Sequence, residues 1–150
     1  MDIGSQNGWP SCALSNFAAH EFVIDGVQCA SMEGFLQSLK FSNPDMQKEV
    51  CKLIGIKAKR AGKGKNWQRR QLLYWQGEAM ERRSVKYQKL LDRAYDALYE
   101  NQKFKAALAA AGDATFTHSI GKRKEGETVL TIQEFCSRLN RLRERLKSEA

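Results

Sequence analysis

The sequence lacks the features that mark several large classes of protein. No apolar run approaches membrane-spanning length, and the start, Met1 to Ser5, lacks the basic residues and apolar core of a secretory signal. The four cysteines form no CxxC pair and the two histidines are isolated, which argues against a zinc site and a disulfide scaffold. GxSxG, Walker-loop and HExxH motifs are also absent. We therefore expect a cytoplasmic protein that uses no metal or other cofactor and has no membrane partner.

The length and the net charge of the chain further narrow the class of protein and the kind of partner it can have. A chain of 150 residues has room for one domain with a sizeable core, and 42% hydrophobic with 28% charged residues is typical of a globular protein. The net charge of +8 indicates an anionic partner such as a nucleic acid, a nucleotide or a phosphorylated sugar. Basic residues concentrate in 57–65 and 121–124, although such runs are also typical of solvated loops.

The hydrophobic pattern predicts a compact, mostly helical α+β single domain over residues 1–150, with a small β-hairpin or sheet at one end. Two β-prone runs, 21–24 and 27–29, flank Asp25-Gly26, a pair that favours a type I′ turn. Residues 1–13 are expected to be irregular, and 115–118 is a candidate strand. Helices are expected over 31–41, 44 to about 62, 68 to about 79, 84–100, 101–112 and from 131 onwards.

Several helix boundaries carry local signals. Ser31 suits an N-cap, Asn43-Pro44-Asp45 suits the start of the next helix, and Thr131-x-x-Glu134 is a capping box. The helix that begins at Pro44 is expected to end at a Gly62-Lys63-Gly64 loop and to bury Met46, Val50, Leu53 and Ile54. The helix over 84–100 is expected to bury Val85, Leu90, Leu91, Ala94, Tyr95 and Leu98.

The stretch Ser31–Phe41 has the strongest functional pattern. Glu33, Gln37 and Lys40 follow one another at i, i+4 and i+7, so on a helix they form one polar stripe beside the apolar face. A stripe that combines a carboxylate, an amide and an amine can form the wall of a site. On spacing alone, a solvated edge with an ordinary Glu-to-Lys pairing explains the same pattern.

A second candidate site lies in the basic run. Gly62-Lys63-Gly64-Lys65 can hold a phosphate through backbone N–H groups and lysines. Trp67 follows directly, and an aromatic ring beside a cationic loop can stack on a base while the loop holds phosphates. A tryptophan buried in the core just before a helix is the alternative interpretation.

Four motifs occur in a characteristic order and spacing: Leu14-Ser15-Asn16-Phe17, Phe22…Asp25-Gly26, Ser31-x-Glu33-x-x-x-Gln37-x-x-Lys40-Phe41 and Lys65-Asn66-Trp67. Later pieces extend the pattern: 74–77, 83–84, 87–88, 94–97 and His118-Ser119-Ile120-Gly121. Together they resemble the YbiA/NADAR family over nearly the whole chain. The resemblance implies a compact, helix-rich α+β fold and an N-glycosidase activity.

The resemblance implies two classes of substrate. Some members cleave ribosylamino-pyrimidine intermediates of the riboflavin pathway, and others remove ADP-ribose from guanine in DNA modified by a DarT-type toxin. The pyrimidine-acting members carry a run of the Trp-Gly-Asp-Gly kind before the last helix, whereas residues 121–128 here are basic and lack the matching Asp. This departure favours ADP-ribosylated guanine, in a nucleotide or in DNA, with DNA contact through the basic loops and a DarT-type toxin system as the partner.

The resemblance also implies roles for individual residues. Glu33 and Trp67 match positions tied to catalysis in the pyrimidine-acting members, and Lys40 matches a lysine of the family. Asn16 and Phe17 match a pocket-forming turn. His118 lies in one of the later matching runs and joins the candidate substrate-binding residues.

The chemistry of the residues leaves the mechanism open at this stage. Glu33 can act as acid, base and counter-charge for a developing cation at C1 of the sugar. Lys40 can form a Schiff base with C1 if the ring opens, but a neighbouring carboxylate keeps an amine protonated unless burial offsets it. Alternatively, Lys40 pairs with Glu33 or with a phosphate. Gln37 can orient a ribose hydroxyl, while Gly62, Lys63 and Lys65 can hold phosphates.

Two classes of function without catalysis explain part of the same pattern. A binding module for ADP-ribose or nucleic acid accounts for the net charge, the tryptophan and the Gly-Lys run, but it does not need Glu33. A helical interaction protein would use the arginine-rich outer face of the last helix to meet an acidic partner.

Overall fold

The computed structural model describes residues 1–150 and shows short hairpins inserted among helices. The elements are α1 (Ser11–Leu14), β1 (Phe22–Ile24), β2 (Val27–Cys29), α2 (Met32–Ser38), α3 (Pro44–Cys51), α4 (Gly55–Lys63), β3 (Leu72–Trp75), β4 (Glu78–Glu81), α5 (Val85–Tyr99), α6 (Gln102–Ala110), a 3₁₀ turn (Glu125–Glu127) and α7 (Ile132–Glu149). They form one compact α+β domain with two separate two-stranded antiparallel sheets. The predicted fold class is confirmed.

The first hairpin forms as predicted. Strands β1 and β2 pair in antiparallel register on either side of Asp25 and Gly26, whose φ angles of 49° and 78° are those of a type I′ turn. The Asp25 carboxylate accepts hydrogen bonds from Trp75 Nε1 and Arg93 Nη2, each at 2.8 Å. The turn therefore fastens this hairpin to β3 and to α5.

The helix predicted over residues 68–79 is wrong, because this segment is a second hairpin. Gln76 and Gly77 adopt φ angles of 50° and 84° and form another turn of the I′ kind between β3 and β4. A short run of apolar residues does not distinguish a strand from a helix by periodicity alone. Tertiary contacts decide the outcome: buried Gln47 donates to the carbonyl of Tyr74 at 2.7 Å and accepts from the amide of Gln76 at 2.9 Å.

The predicted helix starts are confirmed by their capping hydrogen bonds. Ser31 Oγ accepts from the amide of Gly34 at 3.0 Å, and Asn43 caps α3 with Pro44 in the first turn. Thr131 and Glu134 form the complete capping box at the start of α7. Each of these starts is therefore set by side chains within one turn of the helix end.

The single helix predicted from Pro44 to about Gly62 is in fact two helices. Helix α3 ends at Cys51, and α4 starts at Gly55, whose φ of 53° redirects the chain. Met46 and Ile54 are exposed rather than buried, while Val50 is buried as expected. Gly62 and Lys63 lie inside α4 instead of forming a loop.

Three smaller expectations also need correction. The N-terminal segment contains the one-turn helix α1 and is not wholly irregular. The candidate strand near Thr117 is a single parallel bridge to Asp2. Val85 is 71% exposed and lies outside the apolar face of α5.

The core combines α2, α5, α6 and α7 with the inner faces of both hairpins. Beside it, the fully buried Arg82 guanidinium forms a two-pronged ion pair with Glu134 at 2.6 and 3.0 Å and joins β4 to α7. The four cysteines are unpaired. No helix combines the length and the apolar character that crossing a membrane requires.

Gly34 provides a test of the contact between α2 and α3. A Cβ at this position would lie 2.6 Å from the carbonyl oxygen of Leu53 and 3.0 Å from that of Val50. Gly34→Ala is therefore expected to lower the free energy of unfolding by roughly 1–3 kcal/mol, as overpacking does. Gly64→Ala is the matched control, because nothing lies within 4 Å of a Cβ there. Equal urea midpoints for the two variants would show that the contact between α2 and α3 is not tight.

Candidate active site

The start of α2 fixes the position of Glu33. Its backbone amide donates to the carbonyl of Asn16 at 2.9 Å, and the Asn16 side chain accepts from the Tyr95 hydroxyl at 2.7 Å. Tyr95 belongs to α5 and is fully buried, so the turn that contains Asn16 is held between two helices. Phe17, next in this turn, is half-buried and faces Gly55 at the start of α4.

The Glu33 carboxylate lies in a crowded polar environment. Gln37 Nε2 donates to Glu33 Oε1 at 3.1 Å, as expected for residues one helical turn apart. Burial raises the pKa of Glu33 above its usual range, although the Gln37 hydrogen bond and the charges of Lys40, Lys59 and His118 act to lower it. Because burial outweighs these opposing influences, the carboxyl group is a better proton carrier than an exposed glutamate.

Lys40 follows α2 in a turn, with its amide donating to the carbonyl of Gln37 at 3.2 Å. Burial lowers the pKa of Lys40, Glu33 acts to raise it, and Lys122 and Lys59 lower it further. Burial and like charges therefore outweigh the carboxylate. The amine is shifted towards its neutral, nucleophilic form.

Gly62 packs closely against the site because it has no side chain. A Cβ at Gly62 would lie 1.9 Å from Gln37 Oε1 and 3.1 Å from Lys40 Cδ. The glycine therefore allows α4 to approach the polar stripe of α2. Gln37 Oε1 is buried and has no hydrogen-bond partner, which leaves one acceptor open beside Glu33.

His118 reaches the same region from the loop before α7. Its Nδ1 donates to the carbonyl of Ile3 at 2.7 Å, and its ring packs edge-on against Phe135 at a centroid distance of 5.0 Å. Gly121 allows this placement, since a Cβ there would lie 2.6 Å from the imidazole. With Nδ1 as donor, a neutral imidazole presents Nε2 as an acceptor.

A cavity of about 310 Å³ adjoins Lys40. Trp67 is buried at 8% exposure within the core, as the alternative interpretation expects, and it also lines this cavity. Lys65 and Arg70 line the cavity too, and Lys65 Nζ lies 4.6 Å from the centroid of the Phe41 ring. No carboxylate lines the cavity, so its charge is entirely positive.

The structure brings most of the candidate residues together. Glu33, Gln37, Lys40 and Gly62 are in direct contact or adjacent. Lys63, in contrast, is exposed at the end of α4 and does not line the cavity. The polar stripe of α2 is therefore a partly buried wall and not a solvated edge.

Two residues near the site, Lys59 and Tyr95, are not among the site residues predicted from the sequence. The charge of Lys59 lowers the pKa of both Glu33 and Lys40. The buried positions Ala58 and Gly62 mark the side of α4 that packs against the protein. Tyr95 lies in the core and in the matching run 94–97, but no sequence pattern indicates that its hydroxyl holds the Asn16 turn. No three His, Cys, Asp or Glu side chains are grouped so that they could hold a metal ion.

Positive charge is distributed unevenly over the surface. Two arginines of α7 pair with acidic residues of α5: Arg138 with Asp92 at 3.0 Å and Arg141 with Asp96 at 2.7 Å. Residues 50–77 contain no acidic side chain, although they are rich in lysine and arginine. The unneutralised charge therefore lies on and around α4, and not on the last helix.

Comparison with known proteins agrees with this architecture. A protein of Enterobacteria phage T4, described as an uncharacterized 17.1 kDa protein in the Gp30-rIII intergenic region, is 41% identical over an alignment 150 positions long that covers 97% of this chain and 98% of that protein. The NMR structure of the E. coli protein YbiA has a TM-score of 0.60 at 20% identity and covers 98% of this chain and 83% of its own, so the two share a fold. The sequence model of the bacteriophage protein GP30.3 family matches residues 8–144, and the chain belongs to that family.

Proposed function

We propose that this protein is an N-glycosidase that hydrolyses the bond between a ribose and an amino group of a base, and that its substrate is ADP-ribose attached to guanine in DNA or nucleotides. One observation carries the proposal. Burial shifts the pKa of Glu33 upwards and that of Lys40 downwards, and Lys40 lines a cationic and aromatic cavity. A proton donor on α2 and a nucleophile in the turn directly after it are then available in one site.

The first step opens the sugar ring. Protonated Glu33 gives its proton to the ring oxygen as the C1–O bond breaks, and the lone pair of the amino nitrogen forms a C1=N bond. The resulting cation at C1 is stabilised by the Glu33 carboxylate that has just formed. The hydrogen bond from Gln37 keeps this carboxylate in place during the step.

The second step exchanges one amine for another. The neutral Lys40 amine attacks C1, and the base leaves with its amino group after a proton passes to its nitrogen, so that a Schiff base remains between Lys40 and the sugar. Water then adds to C1 and releases the free sugar and the lysine. The sum of the steps is one water consumed and one N-glycosidic bond broken.

The charge around the site supports an anionic substrate. Lys65 and Arg70 line the cavity and can meet the phosphates of ADP-ribose, while Trp67, which also lines it, is an aromatic side chain that a base can contact. The Gly121–Lys124 loop places Lys122 close enough to Lys40 to act on its charge. A small pyrimidine substrate with one phosphate would leave much of this charge unused.

The direct test is turnover of defined substrates. Incubation with ADP-ribosylated guanine DNA, and separately with ribosylamino-pyrimidine phosphates, is followed by mass spectrometry of the products. Release of ADP-ribose supports the proposal, and release of the pyrimidine base supports a riboflavin-pathway N-glycosidase instead. Tight binding of ADP-ribose without turnover of either substrate would identify a non-catalytic binding module.

Glu33→Gln tests the proton donor. The variant keeps the size and the hydrogen-bonding ability of the side chain, so we expect normal folding and binding with a loss of roughly 10²–10⁴-fold in turnover. Circular dichroism and ADP-ribose binding report the fold and the site, and Glu21→Gln, which changes an exposed glutamate, is the control. Wild-type turnover by Glu33→Gln would remove Glu33 from the mechanism.

Lys40 tests the covalent route. With substrate and borohydride present, a Schiff base becomes a stable amine, so peptide mapping should find the sugar on Lys40 in the wild type and in the control Lys103→Ala. Lys40→Ala should neither trap the sugar nor turn over substrate. An active Lys40→Ala protein would instead indicate that Lys40 is an electrostatic partner of Glu33.

The charge of Lys122 gives a test based on pH. Because Lys122 disfavours the protonated form of Lys40, Lys122→Gln should raise the pKa of Lys40, and the pH of half-maximal trapping should move upwards. Lys124→Gln removes the same charge from the same loop without acting on Lys40 and should leave that pH unchanged. Equal shifts in the two variants would mean that the effect is only one of total charge.

A further inference from the structure

Three fully buried tyrosines lie on α5: Tyr87, Tyr95 and Tyr99. The hydroxyls of the first and the last bond to the segment before α7 and to α7 itself. Tyr95 instead bonds to the turn that precedes the first hairpin, where its hydroxyl donates to the side-chain oxygen of Asn16 at 2.7 Å. One hydroxyl of the core is therefore directed at the candidate site.

The ring and the hydroxyl of Tyr95 have separate roles. The ring packs in the core at a centroid distance of 6.3 Å from the Phe135 ring of α7, which a phenylalanine could do equally well. A buried hydroxyl lowers stability unless it has a hydrogen-bond partner, and Asn16 supplies that partner. Burial also raises the pKa of Tyr95 well above its usual range, so the hydroxyl stays protonated and remains a donor at neutral pH. The hydroxyl therefore serves the bond to Asn16 and not the packing of the core.

Asn16 passes this constraint on to the start of α2. The first backbone amides of a helix have no partner within the helix. Ser31 caps one of them by accepting from Gly34, and the Asn16 carbonyl accepts from another, the amide of Glu33, at 2.9 Å. Asn16 is thus bonded at both ends, through its side chain to α5 and through its backbone to Glu33.

The backbone of Glu33 is fixed from two directions. On one side Ser31 Oγ donates to the carbonyl of Leu53 at 2.9 Å, which ties the start of α2 to the segment after α3. On the other side Asn16 ties Glu33 to Tyr95. A functional side chain works only if supporting residues hold it to within about 0.5 Å of its productive position. The two bonds supply that support at the residue before the helix and at its second residue.

We propose that Tyr95 is a positioning residue for the proton donor: through Asn16 it holds the start of α2 so that the Glu33 carboxyl stays buried. Tyr95 itself does not touch the substrate. The inference rests on the proposed function for the reaction that Glu33 serves, whereas the positioning is a property of the protein without any ligand. Loss of the hydroxyl should let the Asn16 turn move and admit water to Glu33.

The first test measures Glu33 in the absence of ligand. Its carboxyl is titrated by ¹³C NMR in the wild type, in Tyr95→Phe and in Tyr87→Phe, and the signal missing from Glu33→Gln gives the assignment. Tyr95→Phe should lower the pKa of Glu33 towards the ordinary value of a glutamate, because a hydrated carboxyl loses the effect of burial. Tyr87→Phe removes another fully buried hydroxyl from the same helix and should leave the pKa of Glu33 unchanged. The charged groups that act on Glu33 are the same in the three titrated proteins: Lys40, Lys59 and His118.

A double-variant cycle tests whether the effect passes through Asn16. Asn16→Ala removes the oxygen that Tyr95 holds and keeps the carbonyl that binds the Glu33 amide, so it should lower the pKa of Glu33 as Tyr95→Phe does. Combining the two changes should add nothing further. Additive shifts would show that Tyr95 does not act through Asn16 and would overturn the inference. Asn16→Ala breaks the same bond without altering the core, so it decides the question if Tyr95→Phe does not fold.

The last test concerns turnover of ADP-ribosylated guanine DNA. Tyr95→Phe should lower kcat by roughly three- to tenfold, the effect of one hydrogen bond. Because Glu33 acts in its protonated form, the pH above which kcat falls should also move downwards, whereas Tyr87→Phe should keep the wild-type profile. An unchanged pKa of Glu33 in Tyr95→Phe, or an equal change in Tyr87→Phe, would overturn the inference. Absence of turnover in every protein would count against the proposed function and leave the positioning to be decided by the NMR titration.

Discussion

The close contact of α2 with α3 and α4 is the constraint on which the candidate site depends. Gly34 lets α2 lie directly on the backbone carbonyls at the end of α3, and Ser31 Oγ reinforces the contact by donating to the carbonyl of Leu53 at 2.9 Å. Gly62 allows the equivalent approach of α4. A larger side chain at either glycine would separate the helices and open the polar stripe to water. The burial that shifts the pKa values of Glu33 and Lys40 therefore depends on the absence of side chains at Gly34 and Gly62.

This burial opposes folding while it prepares the chemistry. A carboxyl group such as Glu33, whose pKa is raised in the folded state, stabilises the fold only at low pH, and that contribution is lost as pH rises through the folded pKa. The lowered pKa of Lys40 likewise shows that folding disfavours the charged amine, which costs stability at neutral pH. Groups that cost stability at neutral pH are characteristic of functional sites. Here the surrounding core and the capped start of α2 offset that cost.

Charge has two different roles in this protein. On α5 and α7, acidic and basic side chains pair along the helix contact, and the buried Arg82–Glu134 pair adds a geometrically specific link. These arginines are structural, which weakens the case for an acidic partner bound to the last helix. Around α4 and the neighbouring cavity, lysines and arginines outnumber acidic groups, because residues 50–77 contain no acidic side chain and no carboxylate lines the cavity. Unneutralised charge of one sign beside a cavity is what attracts an anionic ligand.

Local signals in the sequence determined the parts of the fold that depend on neighbouring residues. Asp25-Gly26 specified a hairpin because both residues tolerate positive φ angles, and Ser31, Asn43 and the Thr131 capping box specified helix starts because their side chains bond amides within the same turn. The i, i+4 spacing likewise placed Glu33 and Gln37 on one side of α2, whereas the helix expected over 31–41 ends at Ser38 and leaves Lys40 in the turn that follows.

Only the tertiary structure decided the rest. Residues 72–81 became a hairpin because Gln47 binds its backbone, and Gly62 became a packing contact because α4 must approach Gln37, neither of which a local window contains. Lys59 and His118 act on Glu33 from distant parts of the chain. The sequence alone therefore determined which residues could carry the chemistry, whereas packing between distant segments determined how deeply they are buried and hence which protonation states they favour.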